Sequence, residues 1–352
     1  MSVRLFSLRW AIVIAVIFTC SCKQKKEVLF ESLPASVTHI DFKNTLEKHK
    51  LFNILYYLYY YNGGGVATGD INNDGLPDLY FTANHKAGNK LYLNKGNFQF
   101  EDITNKAGVA GNADWCTGVT MTDVNGDGFL DIYVSVIANK YGLTGHNLLF
   151  INNKNNTFSE KAKEYNLDFA GLCTQAAFFD YDHDGDLDCY ILNQSHHPHA
   201  NIVDTSNRHK YDSLAGDRIY RNDLNTPAKK FTDVSAQTGI YQSNLGYGLG
   251  LAIADFNNDG WDDIYVSNDF HEDDYYYVNQ KDGTFKESVK EHFKHLSRFS
   301  MGSDASDVNN DGYPDLMTLD MYPEDETVEK SSTGEDSFDT YLYKLQFGYF
   351  NQ

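Results

Sequence analysis

An all-β fold of repeated four-stranded units is predicted by three features of the chain. A nine-residue motif, D-x-(N/D)-x-D-G-x-x-D, occurs five times: DINNDGLPD at 70–78, DVNGDGFLD at 123–131, DYDHDGDLD at 180–188, DFNNDGWDD at 255–263 and DVNNDGYPD at 307–315. Each copy runs into a β-branched or aromatic segment (LYFT, IYVSV, CYIL, IYVS, LMTL), the composition of a buried strand. The motif starts lie 53, 57, 75 and 52 residues apart, so each unit is one supersecondary element.

Within a unit the strands follow in a fixed order. A strand of small residues comes first, as in GGGVATGD, CTGVTMTD and GLGLAIAD, and the motif turns the chain into the exit strand. After a variable loop come a third strand ending in Asn (NKLYLN, HNLLFIN, DRIYRN, DYYYVN) and a fourth starting with Phe (FEDIT, FTDVS, FKESV). Four short antiparallel strands in about 50 residues match one blade of a β-propeller. The Gly at position 6 of each motif suits a turn with positive φ, which a side chain would penalise.

Alternation of side chains places positions 1, 3 and 5 around one point, and position 9 returns a carboxylate from the far side. These residues are Asp70, Asn72, Asp74 and Asp78 in the first loop and Asp123, Asn125, Asp127 and Asp131 in the second. The third has Asp180, Asp182, Asp184 and Asp188, the fourth Asp255, Asn257, Asp259 and Asp263, and the fifth Asp307, Asn309, Asp311 and Asp315. Oxygen-only ligands select a hard cation, and six to eight oxygens suit calcium better than the tight octahedron of magnesium. About five calcium ions are expected, one per loop. An EF-hand would need a Glu at position 12 and an exiting helix, whereas position 12 holds Phe81, Val134, Ile191, Val266 and Thr318.

The stretches YNGGGVATGDINNDGLPDLYFTAN, NKLYLNKGNFQFEDITNKAGV and SRFSMGSDASDVNNDGYPDLMTLDMYPED resemble the FG-GAP and VCBS repeats of the integrin α-subunit head and of bacterial surface proteins. The stretches are also similar to the cartilage acidic protein and UnbV-type group, over residues 41–352. The resemblance implies a calcium-stiffened propeller, often seven-bladed, followed in that group by a C-terminal module. With five loops, and with the fifth unit ending before its third and fourth strands, the chain is expected to form an incomplete ring, an open arc whose outer strand is supplied near Phe42. The run Tyr56 to Tyr61 is expected to be a strand.

Residues 1–21 read as an export signal: Arg4 and Arg9, an apolar stretch from Trp10 to Phe18 too short to span a bilayer, then small residues and cysteine. The pattern is that of a bacterial lipoprotein, with Cys22 as the lipidated residue and Cys20 as the alternative, residues 22–40 as a tether, and the outer membrane of a Gram-negative cell envelope as the destination, facing periplasm or surface. Removing residues 1–21 takes the formal charge from −20 to −22, which argues against nucleic acid as a partner. Cys116, Cys173 and Cys189 remain, an odd number; Cys116 and Cys173 stand where other units have Gly63, Gly248 and Ser300, so small size for packing explains them.

Strand parity puts the calcium loops on one face and the variable loops on the other, where a glycan or protein ligand is expected. Candidates there are Trp115 and Tyr247, which with Phe299 stand eight residues before a loop, and His271 in NDFHEDDYYYVN. The aromatic residues either stack on a ligand or cover the end of the core. His196, His197, His199 and His209 crowd one insertion without the rigid spacing of a metal site, and His292 and His295 fall on an expected helix. No G-x-S-x-G or H-E-x-x-H motif is present. A non-enzymatic binding module is therefore expected; the alternatives are a calcium-dependent polysaccharide lyase or hydrolase, or a structural part of a larger envelope assembly.

Overall fold

In the computed structural model every Asp-rich motif closes a β-hairpin, and the described residues are 29–47, 52–196, 203–321, 323, 325–328 and 338–350. Residues 1–38 and 39–352 form separate units; the described part of the first holds one helical turn, Ala35–Thr38. The export signal, Cys20 and Cys22 lie outside the described residues. No described helix is long and apolar enough to cross a membrane.

The larger unit is all-β apart from short helices. Its first sheet contains β1 (Val66–Gly69), β2 (Asp78–Phe81), β3 (Lys90–Asn94) and β4 (Phe100–Asp102). The second contains β5 (Cys116–Thr122), β6 (Asp131–Val136), β7 (Leu148–Asn152) and β8 (Phe158–Glu160). The third has β9 (Cys173–Phe179), β10 (Asp188–Asn193), β11 (Arg218–Asn222) and β12 (Phe231–Asp233), and the fourth β13 (Gly248–Ala254), β14 (Asp263–Asn268), β15 (Tyr275–Asn279) and β16 (Phe285–Glu287). All four are antiparallel meanders in sequence order, the pattern of propeller blades. The fifth sheet pairs β17 (Ser300–Ser306) with β18 (Asp315–Asp320).

The sheets stack through their first strands, with β1 on β5, β5 on β9, β9 on β13 and β13 on β17. Close approach explains the small residues of those strands: a Cβ on Gly250 would stand 2.6 Å from the Ser303 nitrogen. The second strands β6, β10 and β14 are buried along their whole length, and the middle of each is accordingly apolar (IYV, CYIL, IYV) between polar residues. No comparable packing joins β17 or β18 to β1 among the described residues. The LMTL exit, expected as a buried strand, is the exception: Met317 and Leu319 on β18 are each 61% exposed, and among the described residues no sheet covers that side.

Each fourth strand ends in an acid whose carboxylate accepts from the first amide of the helical turn after it, as when Asp102 accepts from the Thr104 amide at 2.9 Å and Glu160 from the Ala162 amide at 2.9 Å. Three local expectations are corrected. Tyr56 to Tyr61 is not a strand: Leu58–Tyr61 is a 3₁₀ turn, because Tyr59 and Tyr60 both point into an aromatic cluster, which alternation would forbid. Residues 39–47 carry no strand; Phe42 stacks on Phe81 at 4.9 Å and Asp41 accepts from the Tyr92 hydroxyl at 2.9 Å. The helix Val289–His292 stops before His295, because Phe293 turns extended.

Candidate metal loops and the opposite face

Every loop is shaped by its own carboxylates. The position 1 carboxylate accepts from the position 5 amide and the position 6 amide: Asp70 from Asp74 (3.1 Å) and Gly75 (2.7 Å), Asp123 from Asp127 (3.0 Å) and Gly128 (2.7 Å), and Asp180 from Asp184 (3.1 Å) and Gly185 (3.0 Å). Asp255 and Asp307 repeat the pattern with Asp259, Gly260, Asp311 and Gly312 at 2.8–3.0 Å. Position 6 adopts φ between +85° and +94° in all five copies, as the motif predicts. Position 4 is left-handed as well, at Asn73, Gly126, His183, Asn258 and Asn310, a feature the sequence reading missed although Asn and Gly dominate there.

Position 9 has a second role. Asp78, Asp131 and Asp188 are fully buried, and each accepts from the position 2 amide at 3.1 Å and from the Asn amide ending the third strand: Asn94 (2.7 Å), Asn152 (2.8 Å) and Asn222 (2.8 Å). Asp263 takes the Asn279 amide (2.9 Å) and the Tyr276 hydroxyl (2.7 Å). Burial pushes these carboxyls up, Asp131 to about 7 and Asp188 to about 8, with the neighbouring loop aspartates adding to the rise.

All the expected ligand residues fall within these bends. Asp180, Asp182 and Asp188 bring carboxylate oxygens within 4.8 Å of one another, a grouping unique among the described His, Cys, Asp and Glu residues. Calcium–oxygen bonds of about 2.4 Å allow such a spread around one ion, so these residues fit a hard dication. Asp184 at position 5 stays outside that grouping, and in the other four loops, where Asn at position 3 offers an amide oxygen of the same hardness, the carboxylates of positions 1, 5 and 9 do not gather within that distance. Lys154 and Lys281 stand 3.5 and 3.3 Å from Asp127 and Asp259 at position 5.

The buried thiols of Cys116 and Cys173 are pushed up to about 12, which fits packing and leaves no thiolate at neutral pH. His197 and His199 lie outside the described residues, and His209 closes the 3₁₀ turn Thr205–His209 with its ring 5.2 Å from Tyr241.

On the opposite face Trp115 is 1% exposed and covers the core. Its ring sits 4.6 Å from Phe52 and 5.3 Å from Tyr60, within a cluster that also takes in Tyr57 and Tyr59. Tyr59 donates to Asp269 at 3.1 Å, and the Gln194 amide donates to Tyr57 at 2.6 Å. Tyr247 and His271 instead line a cavity of about 390 Å³ between the β10–β11 insertion, the β12–β13 connection, the β14–β15 loop and Tyr349. This face is anchored by residues that no motif singled out: Asn147, Asp217 and Asp274 accept from the Val136, Asn193 and Asn268 amides at 2.7–2.8 Å and pair with Tyr133, Tyr190 and Tyr265 at 2.6–2.9 Å. The repeated Tyr at the third residue of each of these exit strands was the signal available.

A family model described as "FG-GAP-like repeat" matches residues 70–134, 136–191 and 255–318, over half of the chain. Cartilage acidic protein 1 of Xenopus tropicalis is 29% identical over 210 residues, 59% of this chain. The chain spans only 29% of that relative's length. A solved structure, from work on specific recognition of non-reducing terminal N-acetylglucosamine by an Agrocybe aegerita lectin, aligns over 72% of this chain and 59% of its own at 17% identity and a TM-score of 0.39.

Proposed function

Because the chain belongs to the FG-GAP-like repeat family, we propose that it is an exported, calcium-stiffened, non-enzymatic binding module whose ligand face lies opposite its Asp-rich loops. The observation that carries the reading is the common loop geometry. Five bends fold a position 1 carboxylate onto the same two amides, and in the third the carboxylate oxygens of positions 1, 3 and 9 gather at the spacing of a calcium shell. A bound dication would supply the positive charge that lets the buried Asp131 and Asp188 ionise, so binding and folding are coupled. The ions stiffen one face, and the variable loops of the other are left to recognise a glycan or protein. Lipidation at Cys22 would hold the module at the outer membrane.

Equilibrium dialysis with calcium, paired with thermal melts in calcium and in chelator, tests this. The expected result is about five ions per chain and a melting temperature raised by calcium. Fewer than one ion per chain, or a melt indifferent to chelator, counts against it.

A further inference from the structure

We propose that the cavity between the third and fourth sheets is a binding site for an uncharged carbohydrate, with Tyr211 as its stacking platform; this rests on the binding-module reading above. The walls are held in place rather than merely adjacent. Arg208, in the insertion, is buried against Glu272 (2.5 Å) and Asp273 (2.8 Å), which ties the insertion to the β14–β15 loop. Asp212 accepts from the Leu214 and Ala215 amides (2.8 and 2.9 Å), and its own amide donates to the Gln242 carbonyl (2.7 Å). The C-terminal wall is fastened as well: the Tyr349 hydroxyl donates to the Val203 carbonyl (2.9 Å), and the Phe350 amide donates to Asp273 (2.9 Å).

Tyr211 is 67% exposed, yet its ring is backed by the Arg218 guanidinium at 5.0 Å. That guanidinium is fixed by the carbonyls of Gly216 (2.7 Å), Asp217 (2.9 Å) and Asp212 (2.7 Å). One ring face is thus supported and the other is presented to solvent, which is the arrangement that receives the apolar face of a pyranose. Tyr247 and Phe270, which meet edge to face at 5.2 Å, line the same cavity, and Asn207, Lys210 and Asn244 are polar members of that lining.

Charge and shape select the ligand class. Glu272 is matched by Arg208 and Asp212 by backbone amides, while Lys210 is the one Lys or Arg of the lining. A chain of formal charge −20 disfavours polyanions. An extended peptide would need a strand edge or an apolar groove, and these walls are loops around a cavity of the size that takes a small ligand.

The test is an array of neutral oligosaccharides, sulfated glycans and immobilised peptides, probed with the calcium-loaded full chain, followed by affinity measurements on Tyr211→Ala, Tyr211→Phe and, on the loop face, Tyr313→Ala. The inference expects retention of neutral oligosaccharides, kept by Tyr211→Phe and Tyr313→Ala and weakened roughly tenfold or more by Tyr211→Ala. Equal affinity in Tyr211→Ala overturns the site and leaves the binding module intact, as does retention confined to sulfated glycans or peptides. Retention of nothing by the wild-type chain removes both readings.

Discussion

The side-chain amide of Asn152 donates to the Ile71 carbonyl at 2.8 Å, across the boundary between the first and second sheets, while its backbone amide donates to Asp131 at 2.8 Å. One residue thus joins its own loop to the preceding one. Asn222 reaches the Val124 carbonyl (3.3 Å) and Asn279 the Tyr181 carbonyl (2.9 Å) in the same way. Asn152 is buried, so Asn152→Leu should leave the Ile71 and Leu130 carbonyls without their donor and cost about 1–3 kcal/mol. Urea denaturation measures the cost. Calcium affinity should fall at the first two loops and stay unchanged at the fourth, read by titrating chains in which single loops remain intact.

Among the described residues the fifth loop lacks this support. Asp315 accepts from the Val308 amide at 3.1 Å, but no third strand donates to it among the described residues, and it is partly exposed where Asp131 is fully buried. Its carboxylate is therefore less fixed, and ordering it on metal binding costs more. Asp123→Ala should lower the melting temperature in calcium severalfold more than Asp307→Ala. Equal losses in the two variants would show that third-strand support does not govern the sites.

Asp217 and Asp274 give the metal-free chain a pH dependence. Burial raises both carboxyls to about 7 despite hydrogen bonds from Tyr190 and Tyr265, whereas an unfolded Asp titrates near ~4. Between those values the folded chain holds protons that the unfolded chain has released, so the stability contributed below about pH 4 is lost as pH rises through about 7. The second sheet carries Asn147 at the matching place, and its amide donates to Tyr133 at 2.9 Å. Asp217→Asn with Asp274→Asn should thus raise stability at pH 8, on the order of 1–3 kcal/mol, and change it little at pH 4. Denaturation in chelator at the two pH values, with the wild type alongside, isolates the contribution.

The hairpins and loop bends were legible because their local chemistry is repeated five times, and the strand order because it recurs in four units: Gly75 and its equivalents need positive φ, and Asp78, Asp131, Asp188, Asp263 and Asp315 each begin an exit strand. What was not legible depends on packing between units. Tyr56 to Tyr61 reads as a strand by composition, yet the space beside Trp115 and Leu172 takes Tyr57, Tyr59 and Tyr60 together. Trp115 and Tyr247 share a sequence position but not a fate, since Phe52 and Tyr60 cover the first while the long β10–β11 insertion leaves a cavity beside the second. Insertion length set that difference, and no local residue pattern encodes it.

His183 lies face to face on Trp261, with ring centroids 3.7 Å apart and planes 8° from parallel, and so joins the third loop to the fourth. His183 holds φ at +58°, where the other loops place Asn or Gly, so the stack stabilises a backbone conformation that the residue alone disfavours. His183→Gly removes both the strain and the contact, and the two effects should nearly cancel. Trp261→Ala removes the contact and leaves the strain, so it should cost about 1 kcal/mol. In a double-mutant cycle the pair should couple by about 0.5–1.5 kcal/mol, measured by denaturation in saturating calcium. A coupling near zero would shift the link between the third and fourth loops to the Asn279 bond to the Tyr181 carbonyl, in which case Asn279→Leu should weaken the coupling of their calcium titrations while Trp261→Ala leaves it unchanged.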